Sequence, residues 1–267
     1  MQQYKELILK AQEGITFEVM EGDNEQIIIT AFLTITNHSS ENYANPPVPE
    51  GYEHIYGEWN NGFVIERKSD GSQFVWVPVS TLYNKDRKIE IESINKYGGF
   101  YISRFNISKG LDEKPQSVQG KLPWTSITYN QAKKLAESME QSENVESHLT
   151  FDEEYDMVLK WFISSRAVSY AEIYKDSSGL GNYINSINGT KELAKTGSSE
   201  EWCINNIYDF IGNVREWTRY WMFGGAAIRG GDFTDYGSRN SAADRFGGSF
   251  GYSSYVGVGF RVVLYIK

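Results

Sequence analysis

The chain is poor in cysteine and histidine, the two residue types that most often build metal and redox centres. Its 267 residues include one cysteine, Cys203, and three histidines, His38, His54 and His148. A single cysteine excludes an internal disulfide and a cysteine-based metal cluster. The histidines are far apart and lack HExxH spacing, so we do not expect a histidine-based metal centre either.

The chain also lacks the segments that place a protein in or across a membrane. No apolar run approaches the roughly 20 residues needed to span a bilayer. The first residues, MQQYKELILKAQEG, show no basic segment followed by an apolar one, so we expect no signal peptide. A net charge of −9 argues against nucleic acids and anionic membranes as general partners.

Aromatic residues, in contrast, are abundant. They make up 15% of the chain, with 18 tyrosines, and 40% of all residues are hydrophobic, which is enough for a sizeable core. Tyrosine-rich surfaces bind varied ligands because each ring gives rigid contact area together with a hydroxyl group. A β-rich core built from aromatics explains the composition equally well, so both interpretations stay open.

The pattern along the chain divides it into an N-terminal extension, residues 1–45, and a larger domain, residues 46–267. In the extension we expect a helix over residues 2–12, then strands at ITFEV and QIIITAFLTIT around a turn at residues 22–24. The polar stretch HSSENYANPPVPEG marks the boundary. The extension is an attachment or oligomerisation element, the remnant of an upstream domain, or a strand pair that completes the sheet.

Two capping boxes predict amphipathic helices in the larger domain. The first is Thr128–Gln131, and the second is Thr150–Glu153. Apolar residues then recur at helical spacing, at Ala132, Leu135, Ala136 and Met139 and at Tyr155, Val158, Leu159 and Phe162. Short strands surround them, including a hairpin around Ser-Asp-Gly-Ser at residues 69–72. Two helices among short antiparallel strands and long loops predict an α+β fold.

Four motifs occur in order near the C-terminus: NIYDFIGNVREWT (206–218), IRGGDF (228–233), SAADR (241–245) and GFRVVLYI (259–266). As a set they resemble the formylglycine-generating enzyme (sulfatase-modifying factor) family. The resemblance covers roughly residues 50–267. It implies an elaborated C-type lectin-like fold with two helices, small antiparallel sheets and long loops.

The catalytic groups of that family are missing from this chain. The sulfatase-modifying enzymes hold copper with a pair of cysteines between the Arg-Gly-Gly and Gly-Phe-Arg motifs, and this chain has no cysteine after Cys203. Related iron-dependent sulfoxide synthases use three histidines, which the histidines here do not match. We therefore expect a protein that is not an enzyme and has no catalytic cofactor.

A second branch with this fold matches the sequence better: the variable proteins of diversity-generating retroelements, ligand-binding proteins of phage tips and bacterial surfaces. In that branch the segment between the two motifs varies, here about residues 229–260. Adenine-directed mutation of asparagine codons yields mainly Tyr, Ser, Asp, Asn, Gly, Phe and Thr, which dominate DFTDYGSRNSAADRFGGSFGYSSYVGV.

The resemblance thus implies receptor recognition, with a protein or glycan receptor, on a virion tail or bacterial cell surface, after a cytoplasmic stage until assembly. Three alternatives are an invariant lectin-like adhesion module, a structural loop without a ligand and, least favoured, an enzyme of the formylglycine-generating or sulfoxide synthase type.

Within the variable segment, tyrosine and phenylalanine supply contact area and the short polar residues supply hydrogen bonds. The predicted ligand contacts are Asp232, Thr234, Asp235, Tyr236, Ser238, Asn240, Phe246, Phe250, Tyr252, Ser253 and Tyr255. The residues expected to hold them in place are Arg229, Gly230, Gly231, Arg245, Gly259, Phe260 and Arg261.

The resemblance also implies a structural Ca²⁺ site in DFIGNVRE. The carboxylates of Asp209 and Glu216, with the carbonyls of Gly212 and Val214, supply the hard oxygen ligands that calcium takes. In the alternative, Glu216 accepts backbone N–H groups in a tight turn and no metal binds. Arg215 replaces the tryptophan usual in the family, and we expect its side chain to reach solvent or a nearby carboxylate.

Overall fold

The computed structural model describes residues 15–21, 27–33, 45–79, 92–249 and 252–267, the first two ranges by their backbone. The chain divides into two compact units, Met1–Glu41 and Asn42–Lys267. In the first unit, β1 (Ile15–Glu21) pairs antiparallel with β2 (Ile27–Leu33), so the two predicted strands are confirmed. The helix predicted over residues 2–12 and the turn at 22–24 lie outside the described residues.

Helices of the second unit lie at α1 (Glu92–Tyr97), α2 (Tyr129–Ser138), α3 (Asp152–Ser164) and α4 (Tyr170–Tyr174). Helix α2 begins where its capping box predicts, because Thr128 Oγ1 accepts a hydrogen bond from the Gln131 N–H at 3.2 Å. The two short helices were not predicted. None of the described helices has the length and apolar character needed to cross a membrane.

Helix α3 starts one residue later than predicted. The Phe151 N–H donates to Glu154 Oε2 at 2.7 Å, so Glu154 rather than Glu153 closes the first turn. The Thr150 hydroxyl instead donates to the Arg261 carbonyl at 3.2 Å, and it is therefore committed to the C-terminal strand. The predicted apolar face is correct, since Tyr155, Val158, Leu159 and Phe162 are all fully buried.

The larger sheet has six strands, and every neighbouring pair is antiparallel. Across the sheet they are β3 (Tyr52–Tyr56), β4 (Val64–Arg67), β5 (Gln73–Pro78), β6 (Gly99–Ser103), β16 (Val262–Ile266) and β9 (Val145–Leu149). The predicted hairpin at residues 69–72 joins β4 to β5, and β5 ends at Pro78, which supplies no N–H to the ladder.

A four-stranded sheet carries the C-terminal motifs. Its order is β14 (Arg245–Ser249), β13 (Gly225–Arg229), β12 (Arg215–Met222) and β15 (Val258–Gly259), in which only β12 and β15 are parallel. Two short pairs are β7 (Ser108–Lys109) with β8 (Pro115–Gln116) and β10 (Cys203–Ile204) with β11 (Ile207–Tyr208). Trp76, Tyr101, Trp217 and Phe260 are fully buried and belong to one apolar core.

Candidate ligand-binding face

Two arginines fix the ends of the loop that connects β13 to β14. Arg229 is fully buried, and its Nη1 and Nη2 lie 2.7 Å and 2.8 Å from Oδ1 of Asp152 and Oδ1 of Asp156. Arg245 approaches the other carboxylate oxygens, with Nε 2.9 Å from Asp152 and Nη2 2.5 Å from Asp156. The two aspartates are one turn apart on α3, so this helix holds both ends of the loop. This is the framework role that the sequence predicts for these arginines.

The glycines after Arg229 are required by close backbone packing. Gly230 has a φ of 72°, in the left-handed region that favours glycine. A Cβ atom on Gly231 would lie 2.6 Å from the Asn240 carbonyl oxygen and 2.6 Å from Cε1 of Tyr183. The chain can therefore turn into the loop here only without side chains.

Asp235 organises the loop from within. Its carboxylate accepts hydrogen bonds from Arg215 Nε at 3.0 Å, from the Asp232 N–H at 2.8 Å and from Asn240 Nδ2 at 2.8 Å. Arg215 Nη2 adds an ion pair at 2.7 Å. Of the two outcomes expected for Arg215, the structure shows the nearby carboxylate, and the bidentate geometry is one that arginine forms well.

Asp232 is buried beneath the same loop. Its Oδ1 accepts from the Thr234 N–H at 2.8 Å and from the Thr234 hydroxyl at 2.6 Å, and burial raises the pKa of the carboxyl group. Asp232, Asp235 and Asn240 are predicted ligand contacts, and the structure shows that their side chains form hydrogen bonds within the loop. Their contact with a ligand stays a prediction.

A second loop, residues 177–185, supports the first from behind. Asn185 Oδ1 accepts from the Gly237 N–H at 3.2 Å, and the Ser177 N–H donates to the Gly237 carbonyl at 3.1 Å. A Cβ atom on Gly237 would lie 2.3 Å from the Ser178 backbone nitrogen. Residues 177–185, for which the sequence predicts only a long loop, therefore support the loop between β13 and β14.

The remaining predicted contacts face outward to different degrees. We define the tyrosine face as the exposed members of the predicted set: Thr234, Tyr236, Ser238, Tyr252 and Tyr255. Its three tyrosines are 47%, 75% and 44% exposed, in chain order. Ser253 and Phe246 are half-buried, and Phe250 lies outside the described residues.

Arg215 joins the separate parts of the predicted region. Its guanidinium group lies 4.2 Å from the centroid of the Phe246 ring in β14, and its side chain also binds Asp235 in the loop. Its backbone N–H donates to the Gly257 carbonyl at 2.8 Å. The loop, β14 and the segment before β15 therefore meet at one residue, although they are separated in sequence.

Several exposed groups beside these residues were not predicted. Arg239 lies over the Tyr236 ring at 5.3 Å, and Val256 is exposed next to Tyr255. Trp221 near the end of β12 and Phe223 in the turn that follows are also exposed. Aromatic residues in and next to a strand usually have buried side chains, so the sequence did not indicate that these rings face solvent.

The Gly-Phe-Arg motif forms a buried ion pair under the sheet. Arg261 is fully buried, with Nε 2.6 Å from Glu216 Oε1 and Nη1 donating to the Ser103 carbonyl at 2.8 Å. Asn106 Nδ2 donates to the same Glu216 oxygen at 2.8 Å. Glu216 thus accepts from side chains, whereas the alternative to calcium had it accepting from backbone N–H groups.

Each of the two buried carboxylates in the predicted calcium element has one oxygen that accepts a hydrogen bond and one that has no partner among the described residues. Asp209 Oδ2 accepts from the Gly197 N–H at 2.7 Å, while Asp209 Oδ1 and Glu216 Oε2 have no hydrogen-bond partner in the described part of the chain. Burial raises the pKa of Asp209 to about 6 and also raises the pKa of Glu216. The Gly212 carbonyl accepts from the Val214 N–H at 2.8 Å.

These oxygens are of the type that Ca²⁺ prefers. Within the described ranges, however, no group of three or more His, Cys, Asp or Glu side chains is arranged to hold a metal. A calcium ion here would depend on two carboxylates supplemented by carbonyls, and calcium binding stays a prediction.

The architecture and the motif positions define an α+β protein with a C-type lectin-like fold of the formylglycine-generating-enzyme type, as predicted. No family model matches the sequence, and neither does any curated protein. PvdO from Pseudomonas aeruginosa shares the fold, with a TM-score of 0.52 at 14% identity over 79% of this chain and all of that one. Variable protein 1 of Treponema denticola gives a TM-score of 0.47 at 12% identity over 72% of this chain and 95% of that one.

Proposed function

We propose that this protein is a non-catalytic receptor-recognition protein whose binding surface is the tyrosine face. The observation that carries the proposal is that residues 229–260 divide into residues that fix the backbone and residues that face solvent. Arginines, glycines and buried aspartates fix the backbone, and the tyrosines project from it. A rigid scaffold that presents aromatic side chains binds with a small entropy cost.

This division suits a variable protein of a diversity-generating retroelement. The outward side chains Tyr236, Tyr252 and Tyr255 are substantially exposed, so replacing them changes the surface with little effect on the core. The composition of the segment fits adenine-directed mutation. An invariant lectin-like module is the second candidate, because a rigid loop that presents tyrosines also suits a single fixed ligand. A nearby imperfect copy of these codons, beside a reverse transcriptase gene, separates the two.

Enzymatic activity is not part of the proposal because the side chains for it are missing. No cysteine follows Cys203 in the sequence. His148 is buried with Nε2 2.9 Å from Glu154 Oε1, and the His54 ring stacks on Phe63 at 3.9 Å.

The proposed partner is a protein or glycan receptor. The proposed location of the protein is a virion tail or a bacterial cell surface.

The proposal is tested by binding to a glycan array and to a panel of intact bacterial cells. Wild type is compared with the triple variant Tyr236→Ala, Tyr252→Ala and Tyr255→Ala. We expect the triple variant to melt within a few degrees of wild type and to lose about tenfold or more in affinity. Leu111→Ala, at an exposed apolar residue outside the segment, is the matched control. Binding that the triple variant retains in full would overturn the proposal.

A further inference from the structure

The turn between β12 and β13 carries a bulky residue in a conformation that disfavours it. Met222 pairs with Gly225, so Phe223 and Gly224 form a two-residue turn, with φ values of 51° and 80°. Such turns prefer Asn-Gly, because both positions need positive φ. Phe223 also leaves 86% of its surface exposed. Neither the backbone nor the core benefits from this ring.

A bulge in β12 exposes two more aromatic residues beside it. Thr218 pairs with Ala227 and Trp221 pairs with Ala226, so Arg219 and Tyr220 have no opposite residue. A bulge re-aims the side chains that follow it. Tyr220 and Trp221 are both exposed, Trp221 by 59%. We define Tyr220, Trp221 and Phe223 as the aromatic tip. Single exposed rings are ordinary, but a cluster of three marks an interaction site.

The aromatic tip is connected to the proposed binding surface on two sides. A Cβ atom on Gly247 in β14 would lie 2.9 Å from Cδ2 of Phe223. On the other side, ring centroids connect Trp221 to Tyr129 at 5.8 Å, Tyr129 to Trp217 at 6.0 Å, and Trp217 to Tyr255 at 6.3 Å. Tyr129 and Trp217 are buried, so Trp221 and Tyr255 rest on the same part of the core.

We propose that the aromatic tip is a constant anchor for a protein partner, beside a variable tyrosine face that selects among partners. This inference rests on the proposed receptor-recognition function. Trp, Phe, Tyr and Arg are the residues enriched where proteins bind proteins, and each large ring contributes substantial apolar area. The anchor lies outside residues 229–260, so diversification of that segment leaves it unchanged.

The charge distribution identifies the chemistry of the partner. Three of the five arginines in residues 215–260 add no net charge to the surface, because Arg215 pairs with Asp235, and Arg229 and Arg245 pair with Asp152 and Asp156. Arg219 in the bulge and Arg239 beside Tyr236 are both at least partly exposed. This side of the molecule therefore suits a partner that presents apolar side chains surrounded by acidic ones.

A phage-displayed library of random peptides, panned against the immobilised full chain, supplies the probe. We expect enriched peptides to combine apolar and acidic residues. Trp221→Ala and Phe223→Asn should each weaken their binding by about tenfold or more, while Leu111→Ala should not. Phe223→Asn should also raise the melting temperature, because asparagine tolerates positive φ. A merely structural role for Phe223 would lower stability and binding together.

The outcomes separate the anchor from the binding function. Peptides that depend on the three tyrosines of the tyrosine face but not on the aromatic tip would overturn the anchor and leave the proposed function intact. Glycan binding through those tyrosines, with no enriched peptide, would also overturn the anchor and leave the proposed function intact. Peptides insensitive to both sets of variants would contradict both proposals.

Discussion

At the scale of single residues, buried charge has the clearest consequences. Asp209 is fully buried, and its pKa is raised to about 6, chiefly by that burial. The folded protein therefore keeps this proton up to about pH 6, whereas the unfolded chain releases it near its ordinary value of 3.8. Because the folded state binds more protons between these values, stability falls as the pH rises through them.

The first prediction is that Asp209→Asn removes this pH dependence. Asparagine retains an oxygen for the Gly197 N–H but carries no charge. Between about pH 4 and pH 7, wild type in chelator should lose on the order of 3 kcal/mol relative to the variant. Urea unfolding of both proteins across this range measures the difference, in which the titrating groups that do not interact with Asp209 cancel. A difference that stays constant with pH would show that Asp209 is ionised throughout.

The second prediction concerns calcium at the same carboxylates. Calcium ions should bind chelator-stripped protein and raise its melting temperature, because Asp209 Oδ1 and Glu216 Oε2 are buried carboxylate oxygens that have no hydrogen-bond partner among the described residues. Calorimetric titration and thermal melting check this, with Asp209→Asn as the control that should bind weakly or not at all. An absence of both heat and thermal shift would sink the calcium assignment.

The residue scale also shows where sequence patterns stop being informative. The motifs located Arg229, Arg245 and Arg261 and predicted their framework role. They did not separate Asp235, which binds Arg215 inside the loop, from Tyr236, which faces solvent. Aspartate and tyrosine both fit a ligand surface by composition, and only the partner from a distant strand decides which one is available.

At the scale of elements, α3 and the loop between β13 and β14 form one unit. Arg229 is fully buried between Asp152 and Asp156, and both carboxylates are mostly buried. The third prediction is that Arg229→Ala destabilises the protein by about 3 to 5 kcal/mol, because the two buried carboxylates then share only the more exposed Arg245. Urea unfolding measures the change. Arg239→Ala, at an exposed arginine of the same loop, should change stability by less than about 0.5 kcal/mol. Equal effects of the two variants would refute this assignment.

The elements that could be predicted are those whose signals are local. Capping residues located α2, and turn residues located the hairpin between β4 and β5. Helix α3 began one residue later because Thr150 bonds to the Arg261 carbonyl, more than 100 positions away in sequence. The exposure of the aromatic tip was not predicted for a related reason. A bulge interrupts the pairing of β12 after Thr218, and a sequence pattern does not show where a bulge exposes the side chains that follow it.

In the whole molecule, we infer that the fold tolerates change at the tyrosine face because other residues hold the backbone. The ordered motifs predicted the fold, and they indicate residues 229–260 as the region in which a ligand is expected to bind. They could not assign positions to scaffold or surface, since that depends on packing between segments far apart in the chain.

Two displayed libraries test this claim most directly. One randomises Tyr236, Ser238, Tyr252 and Tyr255 together, and the other randomises Gly231, Asp232, Asp235 and Gly257. Protease resistance of the displayed chains measures the fraction that folds. We predict that most members of the first library resist protease like wild type and that few members of the second do. Equal loss of resistance in both libraries would contradict the claim, because the tyrosines would then be part of the scaffold.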